Sequence, residues 1–222
     1  GYIVKHREAV LRFIEFALCM TGIEVAKGQS GIVVKLIKSD TIPKVILLEH
    51  EIEKMYEAST DCTMLGIRDK VILSLLYGCG LRRKELRTLE VNQIDLNKSM
   101  IHLPQTKTKY AREVPMSPTV QEHVEEYLFN VRNMMLDATS ELTNFLITER
   151  GTVMSNTTIG KMMERVSEKT NIGKTISCHV LRHSIATHLH RHMSLEDVAT
   201  FLGHRNLDST MIYTHLKKEY YG

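Results

Sequence analysis

A chain of 222 residues, 43% apolar and 25% charged, can bury one full core and part of a second, which excludes a disordered or collagen-like polymer and a miniature scaffold. Apolar runs such as those at 42–48 and 71–77 are far too short to cross a bilayer, and a net charge of +3 is by itself weak evidence for a polyanionic partner. The four cysteines, Cys19, Cys62, Cys79 and Cys178, form no C-x-x-C pair, so neither a zinc ribbon nor a disulfide framework is suggested, nothing points to export, and a reducing cytoplasm is expected.

Apolar residues Val10, Leu11, Phe13, Ile14, Ala17 and Leu18 predict an amphipathic helix over 7–20. Residues 21–43, with Gly22, Gly28, Gly31 and Pro43 around the β-branched run Ile32, Val33, Val34, read as a linker with some extended structure. From Leu48 onward the pattern is mainly helical, over 49–58 and 68–77, until Gly78 and Gly80 break it; a further helix is expected over 81–89. Short extended runs at 100–103 and 112–114 flank the polar stretch 105–110, which predicts a β-hairpin with a basic tip. Helices follow over 119–136, 157–169 and 180–191, whereas 145–148 is too short to assign. Ser194 to Asp197 fits a capping box for a helix that Gly203 should stop, and a last helix is expected around 208–216. The expected class is mainly α with a small antiparallel β-hairpin or sheet (α+β), and no internal repeat is visible.

Unusual polar residues gather in two places. Between Gly80 and Arg112 lie eight Lys and Arg against three Asp and Glu, so this segment exceeds the charge of the whole chain. A charge cluster is more often a solvated helix face than a binding site. Here, however, Gly80-Leu81-Arg82-Arg83-Lys84-Glu85 starts a helix directly after a glycine-rich turn, which puts free backbone N–H groups beside guanidinium groups and attracts phosphate. The second place runs from His179-Val180-Leu181-Arg182-His183 through Leu202-Gly203-His204 to Ile212-Tyr213-Thr214-His215. His179 and Arg182, three apart, can share one helix face, and Gly203 leaves His204 at a helix edge. His179 and His183 also have a zinc-like spacing, but no Glu separates them as in H-E-x-x-H and Arg182 would set a positive charge against the metal. A lone His, Arg or Tyr at any of these positions is more often structural; the combination is what shifts the reading.

Taken together these motifs resemble the tyrosine recombinase and phage integrase family, including Xer-type and mobile-element integrases, over roughly 46–215. Arg82 with Glu85 and Leu86 resembles the first arginine box, Lys107 before Arg112 and Pro115 the hairpin lysine, His179 to Ser184 the second box, Leu202-Gly203-His204 the third and Tyr213 the nucleophile. The resemblance implies the catalytic-domain fold of that family and a DNA-cutting and rejoining enzyme that needs neither metal, ATP nor any other cofactor. Tyr213 would form a 3'-phosphotyrosine link, and Arg82 and Arg182 would clamp the phosphate. Lys107 would protonate the leaving 5' oxygen, His179 would assist proton removal, His204 would hydrogen-bond the phosphate and Glu85 would support the arginines. Arg83, Lys84, Lys109 and Arg112 are candidate DNA contacts. Lys109, two residues from Lys107, competes for the acid's place, and Tyr220 and Tyr221 compete more weakly with Tyr213.

The family resemblance further implies a double-stranded DNA recombination site as partner, a homotetramer in the synaptic complex with a monomer as the isolated domain, no membrane, and a cytoplasmic, nucleoid-associated location. Residues 1–45 are expected to be the remnant of an N-terminal core-binding domain with its linker, and 46–222 the catalytic domain. The chain is therefore expected to be a piece of a longer protein, and only nine residues follow Tyr213 where relatives commonly send a helix into a neighbouring protomer. The competing readings are a type IB topoisomerase, against which the His179 to Ser184 box argues, a DNA-binding relative that has lost activity, and a plain helical interaction domain.

Overall fold

The computed structural model describes residues 23–28, 31–36, 45–59, 61–104, 111–137 and 139–203. The chain divides into Gly1–Lys44 and Val45–Gly222. In the first unit β1 (Ile23–Gly28) pairs antiparallel with β2 (Gly31–Leu36), in register from Ile23↔Leu36 to Gly28↔Gly31. The stretch read from sequence as a linker with some extended structure thus contains a regular antiparallel strand pair, and its β-branched residue types suit strands. The helix expected over 7–20 and the one around 208–216 lie outside the described residues.

The second unit opens with α1 (Glu49–Ala58), where the Leu48 N–H donates to Glu51 Oε2 at 2.7 Å and Ile52 and Met55 are buried. Lys174 Nζ lies 2.6 Å from the same carboxylate oxygen, tying this start to the far end of the chain. Next comes α2 (Met64–Leu73), capped by Thr63 Oγ1, which accepts from the Gly66 N–H at 3.1 Å. Its buried residues lie on every side, as expected of a helix at the centre of a core. It does not end at Leu73 but widens into a π-helical turn, Ser74–Gly78, so that the Cys79 N–H donates to Ser74 O at 3.1 Å. A π turn inserts a residue and rotates the chain beyond it. Gly80 then takes φ +57°, and α3 (Arg83–Thr88) begins two residues later than Leu81, where the sequence suggested.

A three-stranded antiparallel sheet comes next, in the order β3 (Ile94–Asp95), β4 (Met100–Leu103) and β5 (Arg112–Pro115), with Leu103 opposite Arg112. The expected hairpin is present with a third strand, β3, too short to leave an alternating pattern. Ile101, Leu103 and Val114 turn into the core. The segment read as one helix over 119–136 is α4 (Pro118–Glu125), a second π-helical stretch, Glu126–Arg132, and a closing turn, Asn133–Met135. The region 145–148 contributes only an isolated bridge, Ile147↔Val153.

Three capped helices complete the unit: α5 (Asn156–Thr170), α6 (Cys178–Leu189) and α7 (Leu195–Leu202). Ser155, Ser177 and Ser194 each accept a backbone N–H three residues on, at 3.0, 3.2 and 3.1 Å, satisfying donors that a helix start otherwise leaves open. Gly203 ends α7 in the left-handed conformation at φ +63°, as its position in sequence predicted. The main core joins α2, its π turn, the sheet and α4 to α5 and α6. A small separate cluster, Ile46, Ala186, Val198 and Leu202, seats α7 on α6. Among the described residues no helix is long and apolar enough to cross a membrane.

Candidate active site

Four glycine-marked or basic segments, far apart in sequence, meet where α3 starts and α7 ends. Arg82 donates its backbone N–H to Glu85 Oε2 and one guanidinium nitrogen to Glu85 Oε1, both at 2.8 Å, while its other terminal nitrogen donates to the Gly203 carbonyl at 2.9 Å. Arg112, at the start of β5, donates to both oxygens of the same carboxylate, each at 3.1 Å. Arg182, buried on α6, donates to the carbonyls of Gly80 and Leu202. The turn before α3, the strand β5, helix α6 and the end of α7 are therefore locked together by three guanidinium groups around one carboxylate and three carbonyls.

The electrostatics reflect this arrangement. Burial opposes the Glu85 charge, but the Arg112 guanidinium, then the backbone and side-chain donors of Arg82, outweigh it and bring the carboxyl down to about 2. Burial also pushes Arg112 down, against the pull of Glu85. His179, on the exposed side of α6, is lowered by desolvation and by the neighbouring Arg182 charge, which favours the neutral ring. Its Nε2 lies 2.6 Å from Nε2 of His183, with the rings at 88°, so one ring must donate and the other accept.

Two glycines are required by space as well as by backbone angle. A Cβ on Gly203 would sit 2.6 Å from Arg112 Cδ, and one on Gly80 2.9 Å from Leu202 Cδ2. Gly203→Ala is therefore expected to destabilise the fold by about 1–2 kcal/mol from the left-handed backbone alone, and further because Arg112 must move. Urea denaturation checks this, with Gly160→Ala on α5, where a Cβ meets nothing within 4 Å, as the neutral or stabilising control.

Of the residues singled out in sequence, Arg82, Glu85, Arg112 and Arg182 share this cluster. Arg83 and Lys84 are exposed on the first turn of α3. Lys107, Lys109, His204 and Tyr213 lie outside the described residues, as do Tyr220 and Tyr221. The sequence did not reveal that the carbonyls of Gly80, Leu202 and Gly203 anchor the two arginines. The glycines could be read as helix stops, but nothing local marks a carbonyl as the acceptor for an arginine 121 residues away.

Residues 46–220 match the phage integrase family. The tyrosine recombinase XerC of Oceanobacillus iheyensis is 32% identical over 176 residues, covering 78% of this chain and 57% of the relative. XerC of Bacillus licheniformis is 33% identical over 220 residues, covering 98% of this chain and 71% of the relative. The chain thus spans little more than half to about seven-tenths of these two curated relatives. The crystal structure of XerA recombinase is similar with a TM-score of 0.70 and 28% identity, over 79% of this chain and 64% of that one. XerH recombinase bound to a palindromic difH substrate, a post-cleavage complex, has a TM-score of 0.69 at 21% identity, over 82% of this chain and 53% of that one. The fold is that of tyrosine recombinase catalytic domains.

Proposed function

Since this chain belongs to the phage integrase family, we propose that it is the catalytic domain of a site-specific DNA recombinase that cuts and rejoins strands through Tyr213. The observation that carries this reading is the convergence of Arg82 and Arg182 on the Gly203 turn, which immediately precedes His204. Two permanently charged planar forks anchored on the adjacent carbonyls of Leu202 and Gly203 suit the non-bridging oxygens of a phosphodiester, on which negative charge grows as phosphorus becomes five-coordinate.

In the first step the Tyr213 phenol oxygen attacks phosphorus as its proton passes to His179, whose neutral form is favoured. The bond from phosphorus to the 5' oxygen breaks, and that oxygen takes a proton from Lys107, with Lys109 as the competing acid. In the second step a 5' hydroxyl of the partner strand attacks the phosphotyrosine as its proton passes to Lys107, the bond from phosphorus to the phenol oxygen breaks and that oxygen regains its proton from His179, so the bond energy is conserved without ATP. Arg83 and Lys84, exposed at the start of α3, are DNA contacts in this reading. The XerH complex with its difH substrate supports double-stranded DNA as the partner. Four-strand exchange calls for a homotetramer on two duplexes, with the isolated domain a monomer, acting in the cytoplasm at the nucleoid. Residues 1–45 belong to the end of a DNA-clamping core-binding domain and its linker, in keeping with the break between Lys44 and Val45.

The test is a nicked suicide DNA substrate bearing the cognate site. The parent chain should give a covalent protein–DNA band and Tyr213→Phe none; a band that persists in the variant removes Tyr213 from the role. On a closed supercoiled plasmid bearing the same site, relaxation without strand exchange would instead assign the topoisomerase reading, and no adduct on the suicide substrate an inactive DNA-binding relative.

A further inference from the structure

The Arg112 side chain looks inward, and this is hard to reconcile with a DNA contact. Only 11% of it is exposed, and two of its nitrogens bind the two oxygens of Glu85 in a parallel fork. Its aliphatic part fills the space that a side chain on Gly203 would need. Its Nε is buried with no acceptor among the described residues. Its backbone is held by strand pairing, Leu103 opposite Arg112, at the first position of β5. A buried ion pair with an unmatched donor is a poor device for stability, since desolvation offsets most of the attraction. It is a good device for fixing geometry, because a bidentate fork allows one orientation.

We propose that Arg112 is a positioning residue for the phosphate clamp. It holds the Glu85 carboxylate against Arg82 and braces the Gly203 turn whose carbonyl receives that same arginine. The chain of contact runs from the sheet through Arg112 and Glu85 to Arg82, so sheet and clamp keep a fixed spacing. This inference rests on the recombinase reading above. It separates Arg112 from Arg83 and Lys84, which remain as candidate contacts to DNA.

The experiment measures DNA binding and single-turnover adduct formation in the same preparations. Arg112→Ala should form the adduct about 10²-fold more slowly, the scale of a misplaced clamp, with Kd and its salt dependence within twofold of the parent. A phosphate contact would instead weaken binding and lower the salt slope by about one, which overturns the proposal, as does an unchanged rate of adduct formation. Arg112→Lys keeps the charge but not the fork; it should stay at least about tenfold slow at unchanged Kd, and full rescue would count against positioning. Should Arg112→Ala fail to fold, Arg112→Lys alone decides. Adding Arg112→Ala to Glu85→Gln should slow the reaction no further than the worse single change, whereas multiplied defects would show that Arg112 does not act through Glu85. A parent chain that makes no adduct sinks the recombinase reading itself, a result distinct from any of these.

Discussion

Arg182→Lys should form the covalent protein–DNA adduct about 10²- to 10³-fold more slowly than the parent chain, the cost of losing one preorganised donor to a developing oxyanion. Charge is kept, so what is lost is shape. Arg182 is 4% exposed, and its guanidinium spans two carbonyls from different segments, Gly80 on the turn before α3 and Leu202 at the end of α7. A lysine presents a single nitrogen on a flexible stem and cannot hold both carbonyls in one plane while facing a phosphate. The seat of α7 on α6 is small, four buried residues, so the arginine is a large share of what fixes the end of that helix. Thermal unfolding should therefore shift down by several degrees while DNA binding, dominated by surface phosphate contacts, changes much less than the rate. Quenched-flow or gel-based single-turnover assays with the suicide substrate read the rate. A variant within threefold of the parent would remove Arg182 from the clamp.

Much of this site was legible because its chemistry is carried by rare residue types at fixed local spacing. Arg82 and Glu85 could be placed at a helix start, and His179 and Arg182 on one helix, from sequence alone, although His179 lies on the exposed side of α6 and Arg182 is buried. So could the caps: Ser194 and Gly203 bound α7 where the pattern set them. What stayed hidden depends on long-range geometry. Nothing near Arg112 says that its partner is a carboxylate 27 residues earlier, and a basic residue beside a hairpin reads by default as a nucleic-acid contact. The two π-helical stretches were equally silent, since a widened turn of five or seven residues leaves the apolar spacing close to that of an ordinary helix. The first of them matters for function. By delaying the end of α2 it carries the chain through Gly80 at φ +57°, so that the Gly80 carbonyl meets Arg182 and α3 begins with Arg82 facing Glu85.

Glu85→Ala should destabilise the fold by about 3–5 kcal/mol at neutral pH, the range seen when one partner of a buried pair is removed. Its side chain is 12% exposed and is the shared counter-charge for Arg82 and Arg112, which would otherwise face each other unscreened. The milder Glu85→Gln isolates the charge through pH. With its carboxyl at about 2 in the fold against 4.5 ordinarily, the unfolded chain takes up the proton first as the pH falls. The carboxylate's contribution is thus complete above pH 4.5 and is lost progressively toward pH 2, about 3 kcal/mol in all. Urea denaturation at pH 7, 4 and 3 should show the parent chain losing stability more steeply than Glu85→Gln, whose amide does not titrate, so the gap between the two narrows in acid. Parallel acid profiles would mean that the carboxylate is not held ionised by the two arginines. The clamp would then lose the counter-charge that fixes the Arg82 guanidinium on the side of α3 where Arg112 braces it.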